Sequence, residues 1–162
     1  MREIAQAADL SPGNLYYYFR SKADILFFCQ THSVDRLLAE LSLLQQQQLD
    51  PPELLRRAIA AHLLCTLDEL DGAGAHTEVE SLPDDLKAQI VAKRDRYEHA
   101  LRGVIASGMK AGAFRECDEV LVTRAILGAC NWTTRWYRPE GKLQPAAIAG
   151  QYADYLVRGL LR

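Results

Sequence analysis

The segment Met1 to Leu26, MREIAQAADLSPGNLYYYFRSKADIL, constrains the fold of this chain more than any other stretch, because two helix starts and a tight turn crowd into it. Ile4, Ala5 and Ala8 share one stripe at helical spacing, and Asp9 and Leu10 stand where that first helix must turn. Ser11 has the chemistry of an N-cap, and Pro12 suits the first helical position, where its missing N–H costs nothing. Ser21 reads as the cap of a third helix. Two short helices at a tight turn, with a capped third behind them, leave the middle helix free to face outward.

Successive side chains on that middle helix turn by about 100° around its axis. The spacing predicts Leu15, Tyr18 and Phe19 on the inward face and Gly13, Asn14, Tyr16 and Tyr17 on the other. The outward set suits a DNA groove. Gly13 has no side chain to hold the helix off a phosphate, Asn14 both donates and accepts hydrogen bonds, and the tyrosines bring hydroxyls and rings fit for sugar and thymine-methyl contacts. Lys22 and the N–H groups of the helix that Ser21 caps can together hold a backbone phosphate. The competing explanation is an amphipathic helical hairpin with surface tyrosines.

The run REIAQAADLSPGNLYYYFRSKADIL resembles, nearly position by position, the DNA-binding signature of TetR-type transcriptional regulators. The resemblance implies that Ser11, Gly13, Asn14, Tyr16, Tyr17 and Lys22 meet operator DNA. It extends more loosely over the rest of the chain, implying an all-α fold with a helix-turn-helix segment over residues 1–28 and a helical ligand-binding and dimerisation domain over residues 29–162. The stretch from Asn131 to Leu161 is similar to the C-terminal end of one subgroup, several of whose members respond to acyl-CoA or other lipid-derived ligands. Family members carry a further helix before the segment that begins here at Met1. On that pattern the DNA-binding segment is N-terminally incomplete, and a dimeric small-molecule binding protein that no longer binds DNA is the second expectation. Repression is the family's usual mode, so the first expectation is a repressor released from a palindromic operator by its effector.

Composition narrows the rest. With 162 residues and 49% hydrophobic content the chain can bury one substantial core. Its formal net charge is −2, and residues 1–28 carry as many acidic as basic side chains, so affinity for DNA must rest on shaped local contacts and dimer avidity. No apolar run is long enough for a membrane span, and no charged-then-apolar leader opens the sequence, so a cytoplasmic protein with no membrane partner is expected. Cys29, Cys65, Cys117 and Cys130 are widely spaced, as suits reduced thiols packed in a core. Cys29 with His32, and His62 with Cys65, are i, i+3 pairs that could converge on a metal, yet each falls on or near an apolar stripe, and no metal or cofactor is expected.

Beyond the N-terminal segment the pattern is helical. Ser21 to about Gln47 reads as one long helix with Ile25, Phe28, His32, Leu37, Leu41 and Leu44 recurring along it, linking the DNA end to the body. A second helix opens at Pro51 and runs to Leu70, its apolar stripe broken by His62 and Thr66. Asp71 to Gly74 breaks it, and His76, Glu78 and Glu80 form a polar connection at the edge of the expected pocket. Asp84 to Lys110 follows, with Gly112 as a left-handed cap and a basic outer face of Lys93, Arg94, Arg96 and Arg102, one or two of which would suit a phosphate-bearing ligand at a cavity mouth. The last two helices span Asp118 to Tyr137 and Leu143 to Leu161.

A cavity is expected among the helices from Pro51, Asp84 and Asp118, where His62, Thr66, Tyr97, Leu101, Asn131 and Arg135 would contact a small apolar or acyl-CoA-like effector. Trp132, Trp136, Ala149, Tyr152, Ala153, Leu156 and Leu160 mix aromatics with small residues, the mixture expected where two helices from each subunit form a four-helix homodimer interface. No nucleophile elbow, phosphate loop or helical zinc-hydrolase motif is present, so no catalytic residue is assigned.

Overall fold

The computed structural model describes residues 1–68 and 79–162. The expected connection through His76 and Glu78, and Leu70 of the preceding stripe, lie outside the described residues. Among the described residues there are seven α-helices and one turn of 3-10 helix at Val79–Ser81. In chain order the α-helices are α1 (Arg2–Ala7), α2 (Pro12–Tyr18), α3 (Lys22–Gln46), α4 (Pro51–Asp68), α5 (Asp84–Lys110), α6 (Glu119–Trp136) and α7 (Pro145–Arg158). No helix among them is long and apolar enough to cross a membrane.

Capping chemistry fixes most of the helix boundaries. Ser11 Oγ accepts the Asn14 N–H at 3.1 Å to open α2. Ser21 and Asp24 form a reciprocal capping box at α3, each side chain accepting from the other's backbone N–H. The Asp50 and Asp118 carboxylates accept the first free N–H groups of α4 and α6. Between α1 and α2 the chain reverses at Asp9, whose φ of 53° lies in the left-handed region that a short polar side chain tolerates. Gly112, with φ of 75°, follows α5 as the spacing predicts.

α4 is the centre of the body: it packs on α3, α5, α6 and most extensively on α7. Its Leu55, Ile59 and Leu63 are fully buried, each worth roughly 1.5–3 kcal/mol of transfer free energy. Phe114, also fully buried, lies across α5 at Gly108, where a Cβ would overlap the phenyl ring. The same strand-like segment pairs with Leu161, tying the chain's last residues to the α5–α6 connection.

Several expected faces are revised. Ala8 is exposed because α1 has already ended at Ala7. Tyr18 is 72% exposed, not inward, because it is the last residue of α2 and the six-residue α1 does not reach over it. On α3 the buried stripe is Leu26, Gln30, Ser33, Val34, Leu37, Leu41 and Leu44. Phe28 and His32 stand about 160° and 120° around the axis from Leu26 and are exposed, stacked on each other. Cys29 is exposed as well, whereas Cys65 and Cys130 are buried. Among the described residues no group of three or more potential ligands is placed to hold a metal. Ala149, Ala153 and Leu160 belong to the protomer's own core, because the small-residue face of α7 meets α4.

Candidate functional site

At the N-terminal end, α2 is held on a narrow base. Leu15 is its buried side chain, as Ala5 is that of α1, and the helix stops at Phe19, whose backbone is extended. Ser11, Gly13, Asn14, Tyr16 and Tyr17 are all exposed, Tyr17 by 82%, and Lys22 is exposed at the start of α3. Gly13 is informative because the fold does not require it: an added Cβ would find its nearest neighbour, Ser11 Oγ, only at 3.9 Å. The Phe19 ring meets Phe28 of α3 edge-on at 5.4 Å, so the far end of α2 is keyed to α3.

In the body, a cavity of about 190 Å³ opens among α3, α4, α5 and α6. Four of the six expected residues line it: His62, Thr66, Tyr97 and Asn131. Leu101 and Arg135 do not line it; Leu101 is buried in the core one turn beyond Tyr97, and Arg135 is exposed on α6. Ser33, Val34, Leu37, Cys65, Arg94, Leu127 and Thr134 complete the wall. The expectation of three helices is therefore corrected to four, since α3 forms one side of the cavity as well as leading to the DNA end.

His62 organises the polar part of the wall. Its Nε2 lies 3.2 Å from Asn131 Oδ1, which can only accept, so Nε2 carries the proton and donates. Its Nδ1, 3.3 Å from the Tyr97 hydroxyl, then accepts. Burial raises the Tyr97 pKa above its ordinary value and keeps that hydroxyl protonated, which matches the assignment. Paired on both ring nitrogens, His62 is satisfied inside the fold and still presents its ring edge to the cavity.

Arg94 belongs to the basic face of α5, one or two of whose residues were expected to suit a cavity mouth, and it lines the cavity. Its Nη2 donates to Gln30 Oε1 at 3.1 Å, and burial lowers its pKa from the ordinary value without discharging it at neutral pH. One residue earlier, Lys93 Nζ pairs with Asp35 of α3 at 2.5 Å. Two neighbouring α5 residues thus strap the cavity's far wall to α3. Gln30 and Ser33 were legible as candidates, because they fall on the Leu26-based stripe as its polar members.

The outer faces of α6 and α7 carry exposed apolar residues that no other described residue covers. Leu121, Ala125, Gly128 and Trp132 follow one another at i, i+4, i+7 and i+11, all exposed, with Trp132 at 65%. Trp136 and Tyr152 pack against each other with centroids 6.3 Å apart, Leu156 is half-buried, and Tyr155, another aromatic of the same two helices, is 84% exposed.

Comparison with known proteins sets this geometry in a family. Residues 1–27 match the family described as bacterial regulatory proteins, tetR family, and residues 48–160 match the tetracyclin repressor-like C-terminal domain. The chain is 27% identical over 169 aligned residues to the HTH-type transcriptional repressor KstR2 of Rhodococcus jostii, covering 99% of this chain and 80% of that one. It superposes on the TetR family transcriptional regulator PfmR of Thermus thermophilus with a TM-score of 0.82 and 33% identity, covering 99% of this chain and 88% of the other. AibR, solved in complex with isovaleryl coenzyme A and operator DNA, shares the fold at a TM-score of 0.74 and 24% identity, over 99% and 85% of the two chains. With a helix-turn-helix at one end, a cavity-bearing helical body at the other, and family models matching both, this chain belongs to the TetR family of bacterial regulators.

Proposed function

We propose that this chain is a homodimeric transcriptional repressor that a small apolar or acyl-CoA-like effector releases from a palindromic operator. The observation that carries the reading is α3. It begins at the capping box beside the exposed Gly13–Tyr17 face and continues, without a break, into the cavity wall at Ser33, Val34 and Leu37. Whatever occupies the cavity therefore touches the same rigid element that holds α2.

In this reading Gly13, Asn14, Tyr16 and Tyr17 enter the major groove, and Ser11 and Lys22 hold backbone phosphates. The exposed stripe of α6 and Tyr155 of α7 meet their twofold mates, with Trp132, Trp136, Tyr152 and Leu156 contributing contact area. Dimerisation sets two α2 helices about 34–36 Å apart, the spacing of successive major grooves. The effector favours an arrangement of α3 with a different spacing. Because coupling is reciprocal, a tenfold loss of operator affinity implies an effector that binds about 1.4 kcal/mol less well to the DNA-bound dimer. A cavity of about 190 Å³ is close in size to the roughly 150 Å³ that accepts benzene, so an acyl group enters it while the nucleotide of a CoA ester stays outside. The complex of AibR with isovaleryl coenzyme A and operator DNA supports this class of effector by analogy of fold.

Selection of random duplexes by the purified chain, followed by challenge with isovaleryl-CoA, hexanoyl-CoA and palmitoyl-CoA, tests the reading. A twofold-symmetric site, released by one of these esters and not by free coenzyme A, is expected. Tight acyl-CoA binding with no enriched DNA would instead identify a small-molecule binding protein.

A further inference from the structure

Two polar groups of the cavity wall keep a donor unused among the described residues. Thr66 is 5% exposed and lines the cavity, and its hydroxyl makes no hydrogen bond with any described residue. The sealed side-chain atoms without a partner are, among the described residues, Thr31 Oγ1 and Arg102 Nε. The Thr66 hydroxyl is not sealed, so it opens onto the space that Thr66 lines. Asn131 is exposed and also lines the cavity, which sets it at the mouth. Its Oδ1 accepts from His62 Nε2 at 3.2 Å, which leaves the amide Nδ2 with its N–H donors to offer. Thr66 follows His62 by one helical turn, and side chains four apart on a helix have Cβ atoms about 5–6 Å from each other. The His62 ring, held on both nitrogens, thus keeps an amide donor and a hydroxyl donor within reach of one shared atom.

We propose that the Asn131 amide and the Thr66 hydroxyl form a carbonyl receptor, and that the cavity selects a compact acyl group whose carbonyl oxygen accepts from both just inside the mouth. This rests on the effector reading above and deepens it: the recognised group is the thioester carbonyl as well as the apolar tail. A carbonyl oxygen has two lone pairs and no proton, so it matches two convergent donors, whereas a methylene in its place leaves both without an acceptor. Judged by the cavity of about 150 Å³ that holds benzene, a volume of about 190 Å³ takes roughly six to eight non-hydrogen atoms, enough for a six-carbon acyl group with its oxygen. Val34, Leu37 and Leu127 supply apolar wall for the tail. The carbonyl can belong to a coenzyme A ester or to a small acyl compound with no nucleotide. The chemistry at Asn131 and Thr66 is the same for both.

Calorimetry on the full chain without DNA compares hexanoyl-CoA with its thioether counterpart S-hexyl-CoA, and S-hexanoyl-N-acetylcysteamine with S-hexyl-N-acetylcysteamine. Within each pair only the carbonyl oxygen is lost. We expect the thioester of at least one pair to bind about tenfold or more tighter, the combined worth of two neutral hydrogen bonds. Thr66→Val keeps the shape, removes the hydroxyl and should cut that preference about threefold or more, and Thr66→Ser should keep it. Discrimination in the coenzyme A pair alone assigns the carbonyl to a CoA ester, and discrimination in both shows that a small acyl compound suffices. Equal affinity within both pairs, or a preference that Thr66→Val leaves untouched, overturns the carbonyl receptor and leaves the effector reading in place. Binding by none of the four overturns both. A thioester preference with no release of operator supports the receptor and counts against the repressor reading alone. The wild-type comparison stands even where a variant folds poorly.

Discussion

Gly13→Ala separates what the fold needs from what DNA needs. Gly13 is the second residue of α2, and the added methyl would come no closer than 3.9 Å to another group. Replacing glycine by alanine inside a helix stabilises it by about 0.5–1 kcal/mol, with the lower end expected in a first turn. Urea denaturation followed by circular dichroism should therefore show an unchanged or slightly raised midpoint. Operator binding should move the other way. If the α2 backbone lies against a phosphate, the methyl displaces a contact of the charge-assisted kind, worth roughly 1.5–3 kcal/mol, and affinity in a fluorescence anisotropy titration falls about tenfold to a hundredfold. A variant as stable as the parent that binds its operator equally well would refute the argument that Gly13 is there for close approach.

Three further outcomes follow from the same geometry. Tyr17→Ala should erode sequence preference, whereas Lys22→Ala should weaken all duplexes alike and reduce the salt slope by about one ion; both are exposed, so melting temperature should hold. Burial pushes the Cys130 thiol up from its ordinary value to about 12. The unfolded chain then ionises first as pH rises through 9, the folded chain holds its proton until about 12, and stability falls across that window by on the order of 4 kcal/mol. Denaturation curves at pH 8, 9.5 and 10.5 should show a shallower decline for Cys130→Ala than for the parent. Trp132→Glu places a charge on the exposed stripe of α6, and sedimentation should find a folded monomer with operator binding lost; an intact dimer would move the interface elsewhere.

Capping residues were the most legible part of the sequence, because cap chemistry is decided within four residues. Ser11, Ser21, Asp118 and Gly112 all stand where their side chains or backbone freedom suggest. What depended on a neighbour was harder to read. Ala8 and Tyr18 keep helical spacing, but Ala8 lies just past the six-residue α1 and Tyr18 is the last residue of the seven-residue α2. Phe28 and His32 were drawn onto the core stripe by their ring character, although the turn per residue from Leu26 selects Gln30 and Ser33. Those two polar residues were the missed sign that α3 borders a cavity. Ala149, Ala153 and Leu160 show the same limit. A small-residue face announces close approach of another helix, and only the packing shows that this helix is α4 of the same protomer. His62, Thr66, Tyr97 and Asn131 were found because polar groups on or beside apolar stripes demand partners. Arg94 could be read only as one of four basic candidates for a cavity mouth, because nothing in α5 itself reveals where α3 lies.

The central claim is that the exposed face of α2 enters a DNA groove, and photo-crosslinking tests it most directly. A benzophenone-bearing amino acid placed at Tyr17, and separately at the equally exposed Tyr155, is irradiated with duplex selected by the parent protein. The account predicts crosslinks to half-site bases from position 17 and none from position 155. Efficient DNA binding with no crosslink from position 17 would contradict it.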